Sequence, residues 1–228
     1  MVSPRLRGAA VAAVCALTLS SCGPAHPGAA AQVGDVSISD GTLQKNTDGF
    51  CELINTINRA QQGTTPPVPI RSALLSALNT LVMGEAIDQV AKRNHVTVTQ
   101  AEVQHWINGL PIDLSDVPKD RLAETSAVLQ RVGRNTLLLD KLGRQVYEKQ
   151  NPGGPSVSSD QVQQLGQQVV NQYMQRVGVE TDPRYGQVLD TQNVPGTGSL
   201  SVAVSKTGLD AENVPDPNAS IPPSQTCA

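Results

Sequence analysis

Aromatic side chains are nearly missing from this 228-residue chain: Trp106, Phe50, Tyr147, Tyr173 and Tyr185 are all it has. A core must therefore come from Leu, Val, Ile and Ala, which suits helices packed on helices. Histidine is just as scarce. His26 lies near the start, while His95 and His105 fall on different predicted elements with no cysteine or paired carboxylate at ligand spacing. No metal site is expected from that distribution. His95 reads as a helix C-terminal residue and His105 as a surface or satisfied side chain. No GxGxxG, GxxxxGK[ST] or GxSxG occurs, so neither a phosphate cradle nor a nucleophile elbow is encoded. Asp113, Asp116 and Asp120 read as charge at a helix start, not as an acid–base pair. Without a catalytic constellation the chain reads as a non-enzyme with no cofactor, and an enzyme of unrecognised type is the least favoured reading.

Long apolar runs are confined to the N-terminus. "MVSPRLRGAAVAAVCALTLSSC" places Arg5 and Arg7 before an apolar run from Ala9 to Leu19, then small residues before Cys22. Residues 1–21 read as a signal peptide, too short for a comfortable membrane span. Leu19-Ser20-Ser21-Cys22 resembles the lipobox of bacterial lipoproteins. That resemblance implies cleavage before Cys22, lipid attachment to its sulfur and an extracytoplasmic, membrane-anchored protein. An ordinary signal peptide with an incidental Cys22 is the alternative. Cleavage lowers the 17 basic side chains to 15 against 20 acidic ones, a net charge of −5. A mildly acidic chain with no basic run is a poor nucleic-acid binder.

Cysteine is sparse too. With Cys15 in the signal and Cys22 at the lipid position, Cys51 and Cys227 remain. Outside the cytoplasm two such thiols suggest a disulfide, with two free thiols as the alternative. A bridge would pin a C-terminal tail that is otherwise Pro-rich and lacks an apolar face.

What is present is helical periodicity. Residues 22–31 read as a lipidated Gly/Pro/Ala tether, and 33–38 as an opening strand. A first helix is expected at about 40–62 with Leu43, Phe50, Leu53, Ile54 and Ile57 on one face. "GTTPPVP" ends it. A second, about 70–95, carries Leu74, Leu78, Leu81, Val82, Ala86 and Val90. Thr99 with Glu102 forms a capping box that opens a short helix to about Asn108. Pro118 is expected to open the longest helix, to about Gln150, and Ser158 with Gln161 to cap a fifth. Gly133 and Gly143 either weaken the long helix by about 1 kcal/mol each or admit a close neighbour. Residues 186–204 read as short strands, and 206–228 as an irregular tail held by Cys227. The helical domain is thus expected over 32–205. Trp106, Ile107, Leu110 and Ile112 form an apolar cluster suited to binding a substrate chain, although Trp106 would also suit a core. Met83 and Met174 read either as adaptable contacts or as packing.

Three stretches carry a resemblance to a known family. "AAQVGDVSISDGTL" resembles the start of the SurA N-terminal domain of SurA- and PrsA-type folding factors. "IRSALLSALNTLVMGEAIDQVAKRNHVTVTQAEVQHWI" is similar to its leucine-rich helix and acidic-capped follower, with Val96-Thr97-Val98-Thr99 and Glu102 the most specific part. "DPRYGQVLD" resembles the Pro-Arg-Tyr-Gly segment that precedes the strand returning to the N-terminal one. The resemblance implies a mainly α fold, a multi-helix cradle with a small β clamp of N- and C-terminal strands. The pair Cys51 and Cys227 fits lipoproteins of this kind expected in actinobacteria. It further implies a chaperone-like holdase for unfolded secreted or envelope proteins, or else a scaffold for one folded partner. One departure matters: between Asn151 and Arg184 there is no room for the parvulin isomerase domain of many members, and no histidine. Isomerase activity is therefore not expected.

Overall fold

In the computed structural model of this chain, residues 28–60, 67–185 and 222–227 are described. Val33 and Val36 face each other across a two-residue link, so the expected single strand 33–38 is a hairpin of β1 (Ala29–Val33) and β2 (Val36–Ser39). Gly34 holds φ +59° at the first linking position, a backbone that costs glycine nothing. Both strands belong to a three-stranded antiparallel sheet ordered β2-β1-β3, where β3 is Val179–Thr181.

This arrangement corrects the tether. Its last three residues, Ala29, Ala30 and Ala31, are buried in the central strand. Alanine is a poor strand former by propensity, but flanked on both edges and lying against a helix it lets that helix approach closely. The domain thus begins before residue 32. The fold class stands as expected, mainly α with a small β clamp. Among the described residues the strand that returns to β1 is β3, and the segment 186–204, expected to supply the C-terminal strands, lies outside them.

Five helices follow the expected periodicity: α1 (Asp40–Ala60), α2 (Ile70–Arg93), α3 (Gln100–Asn108), α4 (Leu122–Gln150) and α5 (Ser159–Val177). Only the start of α4 moves appreciably. Residues 118–121 close a separate turn in which Arg121 N–H donates to the Pro118 carbonyl, and the helix begins after it. Ser158 caps α5 by accepting from Gln161 N–H.

The end of α2 is built by hydrogen bonding. Val96 N–H reaches back to the Ala91 carbonyl and His95 N–H to that of Lys92, the paired bonds of a Schellman motif. The motif needs a left-handed residue between them, and His95 fills that position at φ +56°. Val96 completes the motif by packing against the main core.

That core centres on α2. Ala77, Leu78, Leu81, Val82, Ala86 and Ile87 meet Ala30, Ala31 and Val33 of β1, Leu138 and Leu142 of α4, and Val170, Tyr173 and Met174 of α5. Met174 is packing, and Met83 lies half-buried against the same cluster. Where α4 and α5 cross, two glycines leave room for backbone. A Cβ on Gly143 would lie 1.8 Å from the Val162 carbonyl oxygen, and one on Gly166 2.3 Å from that of Leu139. Close approach is therefore the role of Gly143.

Candidate binding surface

Gly49 of α1 meets α4 so closely that a Cβ there would stand 2.6 Å from the Glu124 carbonyl oxygen. Beside this crossing sits a second, smaller apolar cluster. Among the described residues Leu53, Val128 and Leu129 are buried in it, and Phe50, Ile57, Ile107, Leu110, Ile112, Leu114 and Val132 ring them half-buried. The cluster is shallow because one wall is a short helix and a loop, α3 and residues 109–121, in place of a full-length helix.

Local chemistry places that wall. Thr99 accepts from Glu102 N–H while the Glu102 carboxylate accepts from Thr99 N–H at 2.8 Å, the expected capping box. Lys141 of α4 donates to Glu102 at 2.6 Å and to the Thr97 carbonyl at 2.8 Å, so one ammonium fastens α3 to α4. Further on, Asp113 accepts from Ser115 N–H and opens a single 3-10 turn, Leu114–Asp116. That amide holds the Asp113 carboxyl below its ordinary range. Arg59 ties the turn to α1, donating to Glu52 at 2.8 Å, Thr56 at 3.0 Å and the Asp116 carbonyl at 3.1 Å. Thr99→Ala should cost about 1 kcal/mol by removing the cap, read as a lower urea midpoint with unchanged slope.

Of the four expected contact residues, Ile107, Leu110 and Ile112 come together here. Trp106 does not join them. Its half-buried ring lies over Gly133 of α4, 2.6 Å from where a Cβ would stand. The glycine accommodates the indole, so Trp106 has a packing role in anchoring α3. Phe50, Ile57, Leu114 and Val132 complete the cluster. Phe50 and Ile57 are seven residues apart on the apolar stripe of α1, which was the available signal for them.

A second polar centre secures the β clamp. Arg184 donates to Asp40 and Asp182, both at 2.9 Å, and the Tyr185 hydroxyl donates to Asp40 at 2.9 Å. Asp182 N–H in turn donates to the Ala30 carbonyl. The Asp-Pro-Arg-Tyr segment therefore stitches the end of β3 to β1 and to the first turn of α1. Arg184 holds the Asp182 carboxyl below its usual range, whereas burial, then the Asp40 carboxylate, pushes the Tyr185 phenol up. Gln89 of α2 joins the same assembly, donating to the Val33 carbonyl and accepting from Tyr173.

Acid should loosen both fastenings. The Lys141 hydrogen bond, then the Thr99 amide, hold Glu102 at about 2 against its ordinary 4.5. A carboxyl depressed by folding stabilises above its unfolded value and loses that contribution as pH falls through the folded one. Melting temperature at low salt should therefore decline between pH 4.5 and 2, and Lys141→Met should flatten the decline. An equal slope in the variant would remove Lys141 from this role.

Cys51 and Cys227 stand at disulfide distance, with 4.9 Å between Cα atoms across a separation of 176 residues. Cys22 lies outside the described residues. Among the described residues no group of three or more His, Cys, Asp or Glu could hold a metal ion, and no helix is long and apolar enough to cross a membrane. No family model, curated protein or solved structure matches this chain.

Proposed function

We propose that this chain is a lipid-anchored extracytoplasmic holdase that captures unfolded secreted or envelope proteins on the shallow apolar surface between α1, α3 and α4. The observation that carries the reading is the imbalance of that cluster: among the described residues, three buried ones surrounded by seven half-buried ones. Half-buried aliphatic groups offer contact area without hydrogen-bonding demands, so they accept apolar segments of many sequences. A lipobox at Cys22 and a cysteine pair at disulfide distance both suit a chain working outside the cytoplasm. Capture of this kind needs no cofactor and no nucleic acid. The likeness to SurA N-terminal domains supports the same reading, and without a parvulin domain it extends to binding alone.

The test is light scattering from an unfolded protein diluted into increasing amounts of the mature chain carrying Cys22→Ala. Aggregation should be suppressed near stoichiometric ratios, and proline-limited refolding should not accelerate. Leu110→Asp with Ile112→Asp should weaken suppression severalfold at unchanged helicity. Absence of suppression would shift the reading to a scaffold with one folded partner, to be sought by crosslinking in the cell envelope.

A further inference from the structure

Two arginines share one aromatic ring at the end of the molecule where α2, α5 and the hairpin link meet. The Arg93 guanidinium lies 4.8 Å from the centre of the Tyr173 ring, and that of Arg176 lies 6.0 Å from it. The tyrosine is 3 % exposed and its hydroxyl donates to Gln89, so the platform under both groups is fixed. Arg93 and Arg176 are exposed, as are the adjacent Lys92 and His95. Lys92, Arg93 and Arg176 each sit in the last turn of a helix, where the dipole favours a cation. That accounts for their position but not for their lack of partners. Ion pairs take up Arg59, Arg121, Arg134, Lys141, Arg144 and Arg184. Among the described residues no carboxylate pairs with Lys92, Arg93 or Arg176, although Asp35 of the hairpin link and Glu180 of β3 belong to the same end. Two unpaired guanidinium groups on one buried ring present donor forks that match phosphate oxygens.

The hairpin tip joins this end to the tether. A Cβ on Gly34 would stand 3.5 Å from the Val177 side chain of α5 and 3.9 Å from Gln89 of α2. From Gly34 back to Ala29, where the tether enters, the strand spans about 17 Å. Seven extended residues from Cys22 cover up to about 25 Å, so this end can reach the surface that holds the anchor. We propose that Arg93 and Arg176, with Lys92 beside them, form a headgroup-binding face that docks on anionic phospholipid of the membrane carrying the anchor. The proposal rests on lipid attachment at Cys22, as in the proposed function, and not on holdase capture. An anionic surface repels the acidic mature chain as a whole. Docking through this end therefore sets how the domain sits, with the hairpin tip toward lipid.

The test couples residues 22–228 to a maleimide lipid through Cys22, the one free thiol when the Cys51–Cys227 bond is intact. The vesicles are phosphatidylcholine alone, or equal parts phosphatidylcholine and phosphatidylglycerol. Arginine modification by phenylglyoxal is then followed by mass spectrometry. On the anionic vesicles Arg93 and Arg176 should react about fivefold or more slowly than on the neutral ones, and about 0.5 M salt should restore their rates. Arg71, exposed about 33 Å away at the other end of α2, should keep its rate on both. Equal rates on the two vesicles overturn the proposal, as does equal slowing of Arg71. Slowing by inorganic phosphate on the Cys22→Ala chain, without slowing on vesicles, also overturns it and assigns the pair to a soluble anion. The maleimide lipid stands in for the cell's own acylation. An unlipidated Cys22 in cells would thus remove the anchor without touching this measurement, while failure here leaves the anchor and capture readings standing.

Discussion

Gly143→Ala should unfold about 3–4 kcal/mol more readily than the parent chain, a drop of roughly 10 °C in melting temperature. The added methyl would stand 1.8 Å from the Val162 carbonyl oxygen and 3.0 Å from that residue's side chain. A carbonyl oxygen in a helix cannot rotate away, so α4 and α5 must separate along their crossing. Separation also opens the contacts of Leu138, Leu142 and Val170 in the main core, which carry the larger part of the loss. Gly41→Ala makes the control. It sits in the first turn of α1 with its nearest neighbour, the Ser39 hydroxyl, 4.0 Å from the added atom. There the helix preference of alanine should prevail and stabilise by up to about 1 kcal/mol. Thermal unfolding followed by circular dichroism reads both. Equal effects of the two substitutions would sink the close-approach account.

Removing the Cys51–Cys227 bond should produce the other large loss. Cross-linking positions 176 residues apart removes conformational freedom from the unfolded chain equivalent to about 5 kcal/mol. That full amount is expected only if the reduced native state keeps its tail docked. A tail that loosened on reduction would gain freedom in the native state as well and bring the loss down toward about 3 kcal/mol. Urea midpoints of oxidised and reduced protein measure the difference. A change below about 1 kcal/mol would mean that the unfolded chain is held compact by something other than this bond.

Much of the helical layout was legible because its signals are local. The Thr99–Glu102 capping box and the Ser158–Gln161 cap are short motifs whose bonds form within a single turn. The stripe of Leu78, Leu81 and Val82 on α2 marked a buried face, since periodicity reports which side of a helix must leave water. Features that depend on partners distant in sequence were not legible in the same way. Ala29–Ala31 look like spacer until β3, some 150 residues on, supplies the second edge and α2 the cover. Gly143 could equally have been a weak point, and only the position of Val162 decides. His95 was placed correctly at the end of α2, yet its left-handed backbone depends on Val96 reaching Ala91. At the candidate surface, Ile107, Leu110 and Ile112 could be named from their spacing. Trp106 was ambiguous because its direction depends on Gly133, which lies on another helix.

The early start of β1 also limits where the domain can be. With lipid on Cys22 as proposed, the chain must enter the sheet at Ala29, and seven fully extended residues reach at most about 25 Å. Leu53 lies thirteen residues along α1 from Asp40, about 20 Å farther. The apolar surface is thereby confined to a hemisphere roughly 45 Å in radius around its anchor, where one copy amounts to an effective concentration of about 10 mM. A polypeptide emerging from the membrane beside that anchor would meet the surface at millimolar strength, so even weak contacts there would hold it, while one passing beyond the leash would go unbound.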